Sequence, residues 1–473
     1  MSALVWFRSD LRTDDNTALD HALREHNQVA AVFYATPQQW AEHDMAAVRG
    51  EFIWRNLAEL RATLAQINVP LVVRVVPRFA DIAADLTQLI SEIGCRAVFA
   101  NREYAINEIR RDATIARTLG ALDISWRLFE DATLLPPGSV RTQQAQPFKV
   151  FTPFKHALIE LVGDSVIDCA ALTRTAAPWF AAPALPPYPY LKSTIDTAQW
   201  PAGERAAAQR LREFIRTGLH DYKTRRDFPA DSGTSSLSPY LAQGVISVRR
   251  CAEAALAVNG GQWQGGDEGA ATWLNELLWR EFYTHVLALF PRVSTNKPMR
   301  SETEAVVWRN DARDFAAWCE GRTGFPLVDA AMRQLNSTGW MHNRLRMVAA
   351  MFLSKYLLLD WRMGERYFMQ QLIDGDLAAN NGGWQWSAST GTDAAPYFRL
   401  LSPVRQMERF DAGAHFCKTY LPELSALAPK IIAQPGHREL LATGYPPPLV
   451  DPKFARERVL QAFAAAKTAD TLL

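Results

Sequence analysis

The sequence predicts an α/β class N-terminal region built on a doubly wound, five-stranded parallel sheet, followed by a long linker and an all-helical C-terminal region. Three observations carry this reading. Short apolar runs alternate with longer amphipathic ones over residues 1–130, the pattern of strands joined by crossover helices. Six prolines crowd residues 178–201, and proline withholds the N–H that regular structure needs. From about Glu204 onward the apolar spacing becomes helical, with Gly or Pro between neighbouring segments.

Taken in order, the expected strands are residues 4–7, 29–34, 71–76, 97–101 and 124–129. Helical patterns lie between them, clearest at 48–67 and 82–93. Such sheets bind ligands at the carboxyl ends of their strands, but no Gly-rich fingerprint follows the first strand, so a Rossmann dinucleotide site is not expected. Pro136, Pro137 and Gly138 close the last strand, and a basic-aromatic stretch follows at 148–155. The reading divides the chain into an α/β region (1–130), a surface linker (131–203) and a helical region (204–473). Within the helical region, 272–289 and 341–356 are strong helices. A weaker one, 454–465, follows Pro446, Pro447 and Pro448.

With 473 residues, 48% hydrophobic and 21% charged, the chain reads as an ordinary globular protein of two or three domains. A net charge of +1 announces no nucleic-acid partner, so any DNA contact must be a local basic patch. Five scattered cysteines form neither a disulfide framework nor close metal-ligand pairs. The first residues run straight into Leu4-Val5-Trp6-Phe7 without a leader pattern, and no apolar run reaches membrane-spanning length. A cytoplasmic protein without a metal or a membrane partner is expected.

The stretch 374–386 carries the most chemistry. Asp374 and Asp376 flank Gly375, the composition of a turn. Asn380 and Asn381 precede Gly382 and Gly383, a glycine pair that allows a sharp turn or a close approach to a flat partner, and then come Trp384 and Trp386. Surfaces to pack on and a few placed polar groups suit a planar heteroaromatic ligand. A tight surface turn with one indole in the core has the same composition. Trp273, Glu276, Trp279, Arg280 and Tyr283 fall on or near one helical face, and that mixture is unusual for a core stripe. Asn343, Arg344, Arg346 and Met347 form a second set; a solvated helix surface would read the same way. Thr234, Ser235, Ser236, Leu237 and Ser238 make a hydroxyl-rich loop leading toward a helix, which suits a pyrophosphate or an ordinary turn and cap.

These segments, with Gly339-Trp340-Met341-His342-Asn343-Arg344 and Thr390-Gly391-Thr392-Asp393-Ala394-Ala395-Pro396-Tyr397-Phe398-Arg399, resemble the flavin-binding core of the DNA photolyase/cryptochrome family. The bacterial class I cyclobutane pyrimidine dimer photolyases are the nearest pattern. The resemblance implies a light-driven DNA lyase in which photoexcited, reduced FAD passes an electron to a flipped-out dimer and the electron returns after the ring opens. It assigns FAD to Tyr222, Thr234, Ser235, Ser236, Leu237, Ser238, Trp273, Asn343, Arg346, Asp374, Gly375, Asp376 and Asn380. Arg346 would pair with Asp374 beside the ring, and Asn380 would face its reactive nitrogen without offering an acidic proton. Glu276 would hydrogen-bond the dimer's polar edge, with Asn343 and Met347 touching it and Trp279 and Trp386 holding its apolar face. Arg226, Arg280, Tyr283, Arg344, Arg399 and Gln406 complete the DNA side. Trp384, Trp361 and an exposed Trp308 would relay electrons from the surface to the flavin. Ser236 stands where members usually carry Arg.

The family's N-terminal sheet holds an antenna pigment, commonly 5,10-methenyltetrahydrofolate, and His43, Asn107 and Glu108 match the folate positions. Ser294 and Thr295 replace the family's Cys-Lys pair, which implies a weakly held pigment. A (6-4) photoproduct photolyase would show histidines at Asn343 and Met347, and a cryptochrome-type receptor often changes Asn380. A monomer acting on dimer-containing DNA is expected.

Overall fold

The computed structural model describes residues 2–163, 169, 172 and 175–470, so part of the expected linker, within 164–174, lies outside the described residues. The chain forms two compact units. The first comprises Met1–His220, Ser235–Pro291 and Ile373–Gly375; the second comprises Asp221–Thr234, Arg292–Leu372 and Asp376–Leu473.

In the first unit, β1 (Ser2–Phe7), β2 (Gln28–Ala35), β3 (Leu71–Val75), β4 (Ala97–Asn101) and β5 (Ser125–Phe129) form one parallel sheet in the order β3-β2-β1-β4-β5. Leu4 sits opposite Ala30 on one side and Val98 on the other. The central strand β1 is buried throughout because helices cover both faces of such a sheet, so it needs no polar alternation. Those helices are α1 (Thr17–Glu25), α2 (Ala47–Gln66), α3 (Ile82–Ile93) and α4 (Ile106–Gly120). On one face Leu4, Trp6, Val32 and Tyr34 pack with Leu86, Leu89 and Ile90 of α3. Strand order reverses between β1 and β4, and there Asn101 Nδ2 donates to Asp10 Oδ2 (2.7 Å) and Asn16 Oδ1 (3.0 Å). Each expected strand is present.

The expected linker is not wholly irregular. Its basic-aromatic stretch begins α5 (Phe151–Val162), whose Phe151, Phe154 and Leu158 are buried along one side. The local apolar spacing is helical, and the surrounding prolines obscured it. Then follow α6 (Glu204–Thr217), α7 (Val248–Val258) and α8 (Glu268–Leu289). Arg249 of α7 reaches Asp15 (2.9 Å) and Asp131 (2.9 Å), and Arg12 reaches Asp131 (2.6 Å). Burial alone would raise the Asp131 pKa, but these two guanidiniums hold its carboxyl down at about 2. The buried Glu281 of α8 accepts from the N–H groups of Leu134 (2.7 Å) and Leu135 (3.1 Å), fixing the stretch after β5.

The second unit is helical: α9 (Pro326–Thr338), α10 (Asn343–Met351), α11 (Trp361–Gln371), α12 (Leu377–Ala388), α13 (Pro403–Phe410) and α14 (Pro452–Asp470) are its longer or better-capped elements. His342, Asp360, Asp376 and Ser402 cap α10 to α13 in turn, each side chain accepting a first-turn N–H. The helix expected over 341–356 starts two residues later and ends in a π turn, Phe352–Tyr356. Asn380 to Trp386, read above as turn-like, lie inside α12; only the aspartate-glycine step before it is a turn. A well-capped helix buried on one side tolerates glycine, whose helical penalty is about 1 kcal/mol. At Gly364 of α11, an added Cβ would run into the Trp384 ring and Leu353, so the missing side chain lets α11 and α12 approach. A smaller cluster of Val306, Leu358, Val459, Phe463 and Ala466 seats α14.

Candidate functional site

One face of α12 organises the second unit's polar groups. Asn380 Nδ2 donates to the Glu365 carbonyl (3.0 Å), which fixes the amide and leaves Oδ1 as an acceptor for another group. Behind it, Asn381 Nδ2 donates to Glu365 Oε1 (3.0 Å) and Gln385 Nε2 to Asn381 Oδ1 (2.8 Å). Gln385 Oε1 in turn accepts from the Met299 N–H (2.7 Å). A chain of this kind fixes the orientation of every amide in it. One turn past Asn380, a Cβ at Gly383 would meet nothing within 4 Å. A side-chain acceptor beside open helix backbone fits a flat heteroaromatic ring presenting an N–H, and the flavin of FAD is such a ring. Trp386 is half-buried and stacks on no other ring among the described residues.

Trp384 is buried and packs edge-on against Phe368 (5.0 Å) and Trp318 (6.0 Å). Its ring rests at Gly364, one turn along α11 from buried Trp361. The Arg309 N–H donates to the Leu358 carbonyl (2.8 Å), which brings Trp308 alongside the segment leading into Trp361. All three expected relay tryptophans therefore fall in one region. Trp308 is half-buried, however, not exposed: Phe463 of α14 packs against it at 6.2 Å. Trp318, which sequence reading missed, is fully buried, and its indole N–H donates to the Ala349 carbonyl (3.1 Å).

On α10, Leu345 and Val348 face the core, Asn343 is exposed, and Arg344, Arg346 and Met347 are half-buried. Arg344 pairs with Asp227 (2.6 Å) and lies over the Phe410 ring (4.6 Å). Phe228 packs edge-on against Phe410 (5.8 Å), Arg409 lies over the same ring (5.0 Å), and Arg226 lies over Tyr222 (5.3 Å). This is a local patch of cations on aromatic platforms, with Asp227 and Phe410 absent from the sequence reading. An acidic residue directly after Arg225 and Arg226 was the available signal for Asp227. Gln406 of α13 keeps its side-chain oxygen shielded and unpaired among the described residues. Arg399 is exposed on the loop after α12. Gly375 is buried and Asp376 is the α12 cap.

In the first unit, buried Trp273 packs on Phe214 (5.1 Å). Trp279 stacks face to face on Phe151 of α5 (3.7 Å) and touches Tyr283 (5.6 Å), while Glu276 on the same helix is half-buried. Arg280 donates to the Ala132 carbonyl (2.7 Å), so one arm of its guanidinium serves the fold. In the loop ahead of Pro239, Ser236 has φ 51°, a left-handed conformation that tightens the turn, and Ser235 is half-buried. Asp374 is buried.

The three expected pigment residues meet. Asn107 Nδ2 lies 3.0 Å from His43 Nε2, and Glu108 Oε1 lies 3.8 Å from His43 Nδ1. Burial, with Arg49 nearby, lowers the His43 pKa. Burial and then Glu103 raise the Glu108 carboxyl to about 7. The pair thus offers a neutral imidazole and a partly protonated carboxyl near neutral pH, suited to a polar heterocycle.

Residues 3–171 match the family described as DNA photolyase, and residues 273–465 match the FAD binding domain of DNA photolyase. The chain is 47% identical to the deoxyribodipyrimidine photo-lyase of Vibrio cholerae, covering 98% of this chain and 99% of that one. It is similar to the crystal structure of a bacterial class III photolyase from Agrobacterium tumefaciens, with a TM-score of 0.84, 34% identity, and 99% and 98% of the two chains covered. An archaeal photolyase from Sulfolobus tokodaii with two FAD molecules gives a TM-score of 0.79 at 30% identity, covering 98% of this chain and 100% of that one.

Proposed function

The chain belongs to the DNA photolyase family, and from that premise we propose how its own residues divide the work. It is a deoxyribodipyrimidine photo-lyase: it repairs cyclobutane pyrimidine dimers in DNA in a light-dependent reaction and binds FAD. When bound in its reduced state, FAD supplies the photoexcited electron that opens the dimer.

The observation that carries the residue assignment is Asn380. Its amide is held by the bond to the Glu365 carbonyl, which leaves Oδ1 to accept from the ring, and an amide offers no acidic proton. Arg346 and Asp374 hold the ring's polar edge, Asn343 and Trp273 pack near it, and Gly375 and Asp376 set the turn that starts α12. Tyr222, Thr234, Ser235, Ser236, Leu237 and Ser238 hold the diphosphate end. Glu276 accepts from the dimer's polar edge, Trp279 and Trp386 wall its apolar face, and Met347 touches it. Arg226, Arg280, Tyr283, Arg344, Arg399 and Gln406 bind the surrounding DNA, so affinity falls as salt rises. Trp308, Trp361 and Trp384 relay electrons inward. The functional division is antenna binding in 1–130, a linker over 131–203 and catalysis in 204–473. His43, Asn107 and Glu108 hold 5,10-methenyltetrahydrofolate, loosely because Thr295 supplies no cation. The enzyme works in the cytoplasm as a monomer; no described helix is long and apolar enough to cross a membrane.

The test is direct. Purified protein with reductant and near-UV or blue light restores thymines from thymine dimers in a defined duplex, and leaves them intact in the dark. Equal dimer loss in the dark would rule out this mechanism.

A further inference from the structure

The π turn after α10 carries a lysine that no role above uses. Lys355 is fully buried, in a run otherwise made of Phe352, Leu353, Ser354 and Tyr356. Its Nζ donates to two backbone carbonyls of one loop, Pro396 (3.3 Å) and Arg399 (2.9 Å), and pairs with no carboxylate among the described residues. Burying an ammonium without a counter-ion is unfavourable, and a leucine or methionine would fill the space more cheaply. A π turn inside a helix is likewise an unfavourable local geometry, found mostly where a side chain must be re-aimed.

What the lysine gains is a fixed loop. Arg456 of α14 donates to the Phe398 carbonyl at the surface (3.3 Å), so the carbonyls of 396, 398 and 399 are all held by cations, two of them from within. Tyr397 stacks on Phe463 (5.6 Å) under Lys467 (4.8 Å). The side chains of Phe398 and Arg399 are left facing solvent.

We propose that Lys355 is a positioning residue for DNA binding, holding the loop 396–399 from within so that Arg399 is presented to a DNA phosphate. The inference rests on the assignment of Arg399 to DNA made above.

A protonation link follows. The charge that acts on the amine is the Arg399 guanidinium, while Arg458 of α14 donates to the adjacent Tyr356 carbonyl (2.6 Å). Burial, then the Arg399 charge, lowers the Lys355 pKa to about 7. A phosphate brought to Arg399 offsets that charge and raises the amine's pKa, so the bound state holds more protons than the free one. Affinity therefore falls as pH rises through about 7.

The experiment measures the Kd of a duplex containing one thymine dimer for wild type, Lys355→Met, Arg399→Ala and the double variant, at pH 6.5 and pH 8.5, with FAD content checked. Arg399→Ala should weaken binding about tenfold, equivalent to about 1.4 kcal/mol; if it does not, the assignment of Arg399 itself fails. Lys355→Met should weaken binding similarly at pH 6.5 and flatten the pH dependence. It should add nothing to Arg399→Ala. An additive loss in the double variant, or an unchanged Kd in Lys355→Met, would overturn the proposal. Proton uptake on binding, read calorimetrically in two buffers, tests the same point without relying on the methionine variant folding. Wild type should take up protons near pH 7 and Arg399→Ala should not; equal uptake in both would overturn it too.

Discussion

Gly364→Ala should damage both stability and light-driven flavin reduction. The glycine sits in the interior of α11, buried, with no unusual backbone angle, so alanine brings no backbone strain. In an exposed helix the change would gain about 1 kcal/mol of propensity. Here the new Cβ would overlap the Trp384 ring and come 2.6 Å from Leu353 Cδ2. The indole cannot swing aside, because Phe368 at 5.0 Å and Trp318 at 6.0 Å brace it edge-on from other directions. Overpacking a well-filled core costs about 1–3 kcal/mol, and the braced ring puts this case at the upper end. Net destabilisation of about 2 kcal/mol remains, enough to lower Tm by about 5 °C. The separation of α11 from α12 should grow, carrying Trp384 away from its relay neighbour on α11. Thermal unfolding followed by circular dichroism measures the first effect. The rate of flavin bleaching under blue light with a reductant measures the second. A Tm equal to or above wild type would refute the packing argument, since the propensity gain would then have won.

Three further outcomes are expected. His342, the α10 cap, accepts an N–H on Nδ1, and burial lowers its pKa from 6.5 to about 4. Its contribution is complete above pH 6.5, where both states are neutral, and is lost as pH falls toward 4 because only the unfolded chain takes the proton. That loss is worth about 3 kcal/mol. His342→Asn keeps a capping side chain and should flatten the fall in denaturant-unfolding stability between pH 6.5 and pH 4.5; an unchanged profile would exclude His342 as its source. Trp308→Phe should fail to photoreduce oxidised flavin while chemically reduced protein still repairs dimers, and normal bleaching would mean that another donor serves. Thr295→Lys should raise the amount of near-UV pigment released per FAD, an exposed ion pair being worth about 1 kcal/mol or less; a pigment ratio unaffected by the lysine would remove residue 295 from the antenna site.

The sheet was legible because its strands are short apolar runs separated by helices of a different period, and neither signal depends on distant residues. The same holds for α8, whose aromatic and acidic residues recur at helical spacing. Misreading began where composition and context disagree. Asn380 to Gly383 carry turn residues, yet Asp376 caps the segment, Trp384 is braced by Phe368 and Trp318, and the packing outweighs the glycine penalty. Likewise the family resemblance implied an exposed Trp308, whereas it is the neighbouring Val307 that is exposed, at 80%. The cover over Trp308 comes from Phe463, more than a hundred residues later, which no local pattern reveals. Lys355 did leave a trace: it is a single cation in the apolar run from Val348 to Leu359. Its partners are backbone carbonyls, which have no sequence signature, so the trace could not be read as a role. The pair of Arg344 and Asp227 joins segments far apart in sequence for the same reason.

The seating of α14 has a consequence for how the protein is made. Val306, Trp308 and Leu358 emerge from the ribosome well before Val459, Phe463 and Ala466, the residues that pack with them. Synthesis at about 5–20 residues per second leaves that half-cluster in water for several seconds or longer. During this interval the carbonyl of Phe398 also lacks its Arg456 donor. Every nascent chain thus passes through a stage, before α14 emerges, that carries a bare apolar patch around an oxidisable indole. A stop codon or a ribosome stall just short of residue 452 would prolong that stage indefinitely. Quality control in the cell therefore has its clearest handle on this enzyme in the interval before α14 emerges, when chaperones or proteases meet a surface that the folded molecule conceals.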